Sequence, residues 1–248
     1  MHARRKRSVI SLGKGGKKRI VSDSRPEIKI DGRPVRPQTS RAVDLVFVID
    51  TTGSMSDKID GLLRTCARFA DEFAALGLDH RVAVMAFGDL TVPGDKIEST
   101  PFTARVEVTK KSLQNIPRYG GGGNEGESSL EALEKAMALP FRRHVVKAII
   151  LITDEPALQH NMTASDMISR LLGEEALAFV ISPPLSYFKK MAVKSGGRWY
   201  QVAASTDFTD LLEMFQELAR DVSRVVSETY RIGDGSVAKY RRLKPPEA

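Results

Sequence analysis

The chain has few of the residues that would indicate a secreted, disulfide-bonded or membrane-spanning protein. Only one of its 248 residues is a cysteine, Cys66, so no disulfide forms within the chain. No stretch approaches the roughly 18 apolar residues in a row that a transmembrane helix needs. The basic residues near the N-terminus are not followed by the apolar segment of a secretory signal. These absences favour a cytoplasmic protein that does not enter a membrane.

The patterns of common catalytic sites are also missing. The four histidines are scattered and do not have the spacing of zinc ligands. No Walker-type phosphate-binding loop occurs, and residues 123–128 do not match a nucleophile elbow. A metal-dependent hydrolase that uses Asp50, Ser54 and Asp154 is an alternative, but we predict that the chain is not an enzyme.

Basic residues are concentrated at one end of the chain. Residues 1–41 contain 13 Lys and Arg against 3 Asp and Glu, whereas the remainder has more acidic than basic residues. This segment is rich in Gly and Pro and has no hydrophobic period, so we predict a disordered basic tail. Within it, residues 27–33 alternate in the manner of a short strand or hairpin edge. A folded domain over 42–228 and a polar C-terminal tail over 229–248 complete the predicted organisation.

From residue 43 onward, apolar runs alternate with segments of helical period. Strands are predicted over 43–49, 81–87, 103–108, 145–152, 176–181 and 199–202, with a loop over 88–100. Helices are predicted over 55–76, 110–116, 127–137, 163–172, 185–195 and 207–226. This alternation favours an α/β fold with a doubly wound, mostly parallel sheet and helices on both faces. Ligands of such sheets bind at the carboxyl ends of the strands.

In the turn after the first of these strands, every second residue over three positions has a side chain that carries oxygen. Asp50, Thr52 and Ser54 stand in the segment Asp-Thr-Thr-Gly-Ser, between an apolar strand and an amphipathic helix. One carboxylate and two hydroxyls are ligands that suit a hard divalent cation such as Mg²⁺. The local alternative is that these residues only begin a turn and cap the helix. The spacing resembles the metal-ion-dependent adhesion site (MIDAS) of von Willebrand factor type A (VWA) domains, which implies a Rossmann-like VWA fold.

The resemblance implies further ligands in two other loops. Thr153-Asp154 ends an apolar strand as in the family, which implies that Asp154 contributes a carboxylate to the same site through a metal-bound water. The local alternative is that Asp154 only begins a turn before Pro156. The family's third loop usually supplies a threonine, but the glycine-rich segment 120–127 contains none. The segment resembles a glycine-rich variant of this loop in which an Asp follows the glycines and a Glu comes later. Asn124 occupies that Asp position and is predicted to lie beside the metal. Glu127 occupies the Glu position and is predicted to cap or open the next helix.

By this resemblance the chain is a non-enzymatic protein-binding module, an adaptor in a multiprotein complex. Its cation, Mg²⁺ or alternatively Mn²⁺ or Ca²⁺, takes an acidic residue of a partner protein. Relatives that act beside AAA+ ATPases suggest one kind of partner. The alternative function is binding of nucleic acid or another anionic surface through the basic tail over 1–41, although that tail has no aromatic side chain for base stacking.

Overall fold

The computed structural model describes residues 28–30, 33–35, 41–75, 78–122, 126–202 and 208–244. The chain divides into two compact units, residues 1–39 and 40–248. In the first unit, strands β1 (Ile28–Ile30) and β2 (Arg33–Val35) pair in an antiparallel two-stranded sheet. This pairing agrees with the hairpin edge predicted from the alternation of residues 27–33. The disorder predicted for the rest of this segment lies outside the described residues.

The second unit is built on a six-stranded sheet. Its strands are β3 (Ala42–Asp50), β4 (Asp79–Phe87), β5 (Ile97–Ser99), β6 (Val146–Ile152), β7 (Ala176–Ser182) and β8 (Trp199–Gln201). They lie in the order β5-β4-β3-β6-β7-β8, and only β5 runs antiparallel to its neighbour. The strand order reverses at β3, since β4 lies on one side of it and β6 on the other. The carboxyl ends of β3 and β6 therefore flank a switch point of the kind that binds ligands.

Helices cover both faces of this sheet. They are α1 (Ser56–Ala75), α2 (Val106–Gln114), α3 (Ser129–Met137), α4 (Ala164–Gly173), α5 (Ser186–Ser195), α6 (Phe208–Gly233) and α7 (Val237–Leu243). Alternate residues of β3 point to opposite faces, and each set joins a separate apolar core. Phe47 belongs to the core that also contains side chains of α1, α2, α6 and α7. Val48 belongs to the core that also contains side chains of α3, α4 and α5. The predicted doubly wound, mostly parallel α/β fold is confirmed.

The segment between β4 and α3 differs from the prediction. The predicted strand over 103–108 is wrong, because Thr103 forms only an isolated bridge to Val82 and α2 already begins at Val106. The helix prevails because Thr109 and Leu113, four residues apart within α2, are both buried. The loop predicted over 88–100 contains β5, whose three residues are too few to give a strand period.

The C-terminal segment also differs from the prediction. Where the sequence predicts a polar tail over 229–248, α6 continues to Gly233 and α7 follows over Val237–Leu243. Val237 and Tyr240 join the core on the side of α1 and α6. The short helix escaped prediction because only these two of its seven residues are buried, which leaves no clear amphipathic period.

Candidate metal-binding site at the carboxyl edge of the sheet

The first turn of the site is fixed by its own hydrogen bonds. Asp50 is the last residue of β3 and is fully buried. Its Oδ1 accepts from Thr52 N over 3.0 Å and from Thr52 Oγ1 over 2.6 Å. Gly53–Met55 then form one turn of 3₁₀ helix that leads into α1. The turn thus holds the carboxylate of Asp50 and the hydroxyl of Thr52 side by side.

The loop after β6 completes this arrangement from the other side of the switch point. Thr153 Oγ1 donates to Asp50 Oδ2 over 2.7 Å, and Ser54 Oγ donates to Asp154 Oδ1 over 2.9 Å. The structure therefore brings together four of the five predicted ligands, Asp50, Thr52, Ser54 and Asp154. Their role as metal ligands stays a prediction.

The spacing of these oxygens fits a small octahedral cation. Mg²⁺ holds its oxygen ligands at about 2.0–2.1 Å, so neighbouring ligands lie about 2.9 Å apart. Along the series Asp50 Oδ1, Thr52 Oγ1, Ser54 Oγ and Asp154 Oδ1, successive distances are 2.6, 3.3 and 2.9 Å. Across the described residues, no group of three or more His, Cys, Asp or Glu side chains has the arrangement of a metal site. A cation here would therefore depend on the hydroxyls as well as the carboxylates.

The glycine-rich loop runs directly against this turn. Tyr119 N donates to Thr51 O over 3.0 Å, and Gly53 N donates to Gly120 O over 3.2 Å. A Cβ on Gly53 would lie 2.9 Å from Gly120 O, so only glycine permits this approach. The loop thus occupies the place that the resemblance assigns to it. Asn124, the fifth predicted ligand, lies outside the described residues.

Glu127 contributes to the site in a way that the sequence analysis missed. Its backbone bridges the loop after Asp154, since Glu127 N donates to Pro156 O and Leu158 N donates to Glu127 O, both over 2.9 Å. A Cβ placed on Gly121 would lie 3.1 Å from Glu127 Oε1 and 3.1 Å from Thr52 Cβ, so both side chains border this glycine. Helix α3 begins at Ser129 and not at Glu127 as predicted, and the Glu127 carboxylate is buried beside Thr52.

Two further carboxylates at this edge were also missed. Asp89, fully buried, follows β4 after a single glycine, and its Oδ1 accepts from Thr91 N and Thr91 Oγ1. Asp95 Oδ2 accepts from Asp89 N over 3.1 Å and from Gly121 N over 3.0 Å, which ties the loop after β4 to the glycine-rich loop. The signal was present, because Asp89 follows an apolar strand as Asp50 and Asp154 do.

Burial and mutual repulsion disfavour the ionised forms of the central carboxylates. Burial raises the pKa of Asp50 to about 6, although hydrogen bonds from Thr52 and Thr153 oppose the shift. Burial also raises the pKa of Glu127 to about 8, with contributions from the charges of Asp50 and Asp89. A cation at this edge would favour the ionised forms by offsetting the repulsion.

The sequence of the second unit matches a known family. The sequence model of the von Willebrand factor type A domain matches residues 44–217, more than half of the chain. The chain belongs to the VWA domain family. The matched VWA region contains the carboxyl ends of β3, β4 and β6 and all three loops described above.

Two relatives place this VWA domain among larger proteins. Alpha-protein kinase vwkA of Dictyostelium discoideum is 23% identical over 229 residues, which are 87% of this chain and 33% of that protein. The pilus adhesin SpaC of Lactobacillus rhamnosus GG, in an open conformation, superposes with a TM-score of 0.53 at 15% identity. The match covers 75% of this chain and 30% of the adhesin. The chain thus spans about a third of each relative, and the adhesin supports the fold alone.

The helices in the described part of the chain were compared with the length and apolar character of a membrane span. Among the described residues, none of them is both long enough and apolar enough to cross a bilayer.

Proposed function

We propose that the chain is a divalent-cation-dependent protein-binding module whose cation is held by Asp50, Thr52, Ser54 and Asp154. The observation that carries this proposal is the hydrogen bond between Ser54 and Asp154, 2.9 Å long, because it joins the loops after two parallel strands at the switch point. A metal site of the MIDAS type needs this meeting of loops. VWA domains commonly mediate protein interactions, which agrees with this reading.

The charge of the site suits an acidic partner. Mg²⁺ carries two positive charges, which the carboxylates of Asp50 and Asp154 neutralise, while the hydroxyls of Thr52 and Ser54 add no charge. A cation with so few anionic ligands keeps retained waters that an incoming carboxylate displaces. Ser54 is exposed and Asp154 is only partly buried, so this side of the site faces solvent. The partner is therefore a protein that presents an Asp or Glu.

The role of the module is adhesive and not catalytic in this proposal. The relative vwkA is named a kinase. This chain covers only 33% of vwkA, so the kinase name does not transfer with the VWA domain. A multiprotein complex, such as one with an AAA+ ATPase, stays a prediction from the family resemblance. A cytoplasmic location stays a prediction from the composition of the sequence.

Cation-dependent capture of a partner tests the proposal. Immobilised full-length chain is exposed to extract of its source organism in Mg²⁺ or in EDTA, and the captured protein is then purified and its affinity measured. We expect binding in Mg²⁺ to be at least tenfold tighter than in EDTA, and Asp50→Ala to lose that difference. Asp60→Ala is the matched control, since Asp60 is an exposed aspartate paired with Arg118 on the surface. Equal affinity in Mg²⁺ and EDTA would refute the proposal.

A further inference from the structure

A basic pocket lies between α4, α5 and α7, and we call it the α7 pocket. Its volume is about 650 Å³, and its lining residues are Leu172, Lys194, Ala238, Arg241 and Arg242. Three of the five carry a positive charge and none carries a negative charge. Lys194 and Arg242 are exposed, so the pocket opens to solvent. Because α7 lies beyond residues 44–217, the pocket is partly built by a segment outside the match to the VWA family.

The α7 pocket lies at the opposite edge of the sheet from the cation site. α4 ends at Gly173, shortly before β7 begins at Ala176, and α5 ends at Ser195, shortly before β8 begins at Trp199. The ends of both helices therefore lie at the amino edge, whereas the proposed cation ligands lie at the carboxyl edge. The two sites can be tested separately.

Among the described residues, one nitrogen of Arg241 has no acceptor. Arg241 Nη2 donates to Leu172 O over 3.0 Å, but the buried Nη1 has no hydrogen-bond partner. Burial lowers the pKa of the Arg241 guanidinium, and the charge of Glu175 opposes this shift. An arginine stays protonated in a protein, so its remaining N–H groups need acceptors. An oxyanion in the α7 pocket supplies one when the guanidinium turns toward it.

Backbone contacts hold the basic side chains of the pocket together. Gly196 ends α5 with a φ of 92°, and a Cβ on it would lie 3.2 Å from Arg241 Cγ. This close approach sets the stem of Arg241 against the end of α5, two residues after Lys194. Glu175 Oε2 accepts from Ala238 N over 3.1 Å, which fixes the start of α7.

The positive charges of the pocket have no acidic partners in the described part of the chain. Lys194, Arg241 and Arg242 form no ion pair there with Asp or Glu. By contrast, Lys239 of the same helix α7 pairs with Asp234. The cations that line the pocket are therefore available to an anionic ligand.

A local explanation covers only part of these observations. Basic residues in the last turn of a helix interact with the helix dipole, which applies to Lys194 of α5 and to Arg241 and Arg242 of α7. Such an interaction offsets only a partial charge, and it gives Nη1 of Arg241 no acceptor. The pocket therefore retains positive charge that a bound anion offsets.

We propose that the α7 pocket binds a phosphate-bearing ligand through Lys194, Arg241 and Arg242. A phosphate monoester carries about −1.5 to −2 charges at pH 7 and offers three acceptor oxygens, so it offsets more of this charge than a carboxylate does. The planar fork of arginine matches phosphate oxygens, and lysine adds a point charge. The volume exceeds that of one phosphate group, which leaves room for the molecule that carries it. That molecule is either a small phosphorylated compound or a phosphorylated side chain of another protein.

Calorimetric titration of the full-length chain, in buffer without divalent cations, tests this proposal. The probes are inorganic pyrophosphate and a short peptide with one phosphoserine. We expect saturable binding that is about tenfold weaker in Lys194→Gln and in Arg242→Gln, because each variant loses a charged contact to the phosphate. Lys135→Gln is the matched control and should bind as the wild type does, since Lys135 is an exposed lysine in the last turn of α3. The basic residues within 1–41 give the same background in every variant.

A charge-conserving variant separates phosphate recognition from simple attraction of charges. Arg241→Lys keeps the positive charge but loses the fork, so it should also bind more weakly, with circular dichroism verifying its fold. The probe that binds more tightly identifies the source of the phosphate, a small compound or a modified protein. Equal affinity of the wild type, Lys194→Gln and Arg242→Gln for both probes would overturn the proposal. So would an unphosphorylated peptide that binds as tightly as the phosphoserine peptide while pyrophosphate does not bind.

Discussion

At the scale of single residues, the site contains several buried carboxylates. Each needs hydrogen-bond donors or a positive charge to offset the cost of its burial. Asp50 is satisfied on both oxygens, by Thr52 on one and by Thr153 on the other. Glu127 has one oxygen without any partner. The difference explains why burial raises the pKa of Glu127 further from its ordinary value than that of Asp50.

These pKa shifts predict how the stability of the metal-free protein depends on pH. In the unfolded state both carboxyl groups have pKa values of about 4. In the native state the pKa is about 6 for Asp50 and about 8 for Glu127. At pH values between these limits the native state therefore binds more protons than the unfolded state. Stability is therefore lost as pH rises through this window. In EDTA we expect the melting temperature to fall on the order of 5 °C between pH 5 and 8.5, measured by circular dichroism.

The variant Glu127→Gln isolates the contribution of Glu127. It should melt at a nearly constant temperature above pH 7, because the transition of Asp50 is complete near that pH. Glu107→Gln, on the exposed surface of α2, should keep the wild-type slope. Saturating Mg²⁺ should also reduce the wild-type slope, since a cation favours the ionised carboxylates. Parallel curves for wild type and Glu127→Gln would contradict the assignment.

The sequence could predict a place in the site for those residues that directly follow a recognisable strand. Asp50 and Asp154 end long apolar strands, so a parallel sheet places them at one edge. Glu127 precedes a helix, where an acidic residue usually faces solvent and interacts with the helix dipole. Its burial depends on the backbone bridge to the loop after Asp154, a contact between distant parts of the chain. Asp89 was predictable by the same rule as Asp50 but stood in a segment assigned to a loop.

At the scale of elements, the buried strands and amphipathic helices were predictable because each carries its own period. The exceptions are short or lie at the margins of the sheet. β5 pairs over three residues at an edge, and α7 has two buried side chains. Their conformations follow from tertiary packing, which overrides local preference in short segments.

The docking of α7 is predicted to stabilise the domain without forming the metal site. Val237 and Tyr240 are 2% and 4% exposed, and Glu175 Oε2 accepts from Ser236 Oγ and Ala238 N at the start of the helix. Truncation after Gly233 should lower the melting temperature by roughly 10 °C, since deleting such side chains costs about 3–5 kcal/mol in total.

Scanning calorimetry of the truncated chain checks this stability effect. Truncation after Lys244 is the control, because it keeps all of α7, and it should melt within about 2 °C of the full-length chain. The affinity for Mg²⁺ should be the same in all three chains. An unchanged melting temperature after truncation at Gly233 would show that α7 does not contribute to the stability of the domain.

At the scale of the whole molecule, the chain combines a VWA domain with a basic N-terminal segment. The two were separable in the sequence because their charge and hydrophobic period differ so strongly. In residues 1–39, however, the structure describes only the strands Ile28–Ile30 and Arg33–Val35. Binding of nucleic acid by this segment therefore stays a prediction that depends on its 13 basic residues within 1–41. The proposed cation site and its protein-binding function depend on the VWA domain alone.

Calorimetric titration of the full-length chain with Mg²⁺, beside the variants Asp50→Ala and Asp60→Ala, tests the central claim most directly. The account predicts saturable binding to wild type and to Asp60→Ala, and at least tenfold weaker binding to Asp50→Ala, because Asp50 anchors both Thr52 and Thr153 in the site. Wild-type protein that binds no Mg²⁺, or that binds it as tightly as Asp50→Ala does, would contradict the claim that this edge of the sheet holds an adhesion-type cation.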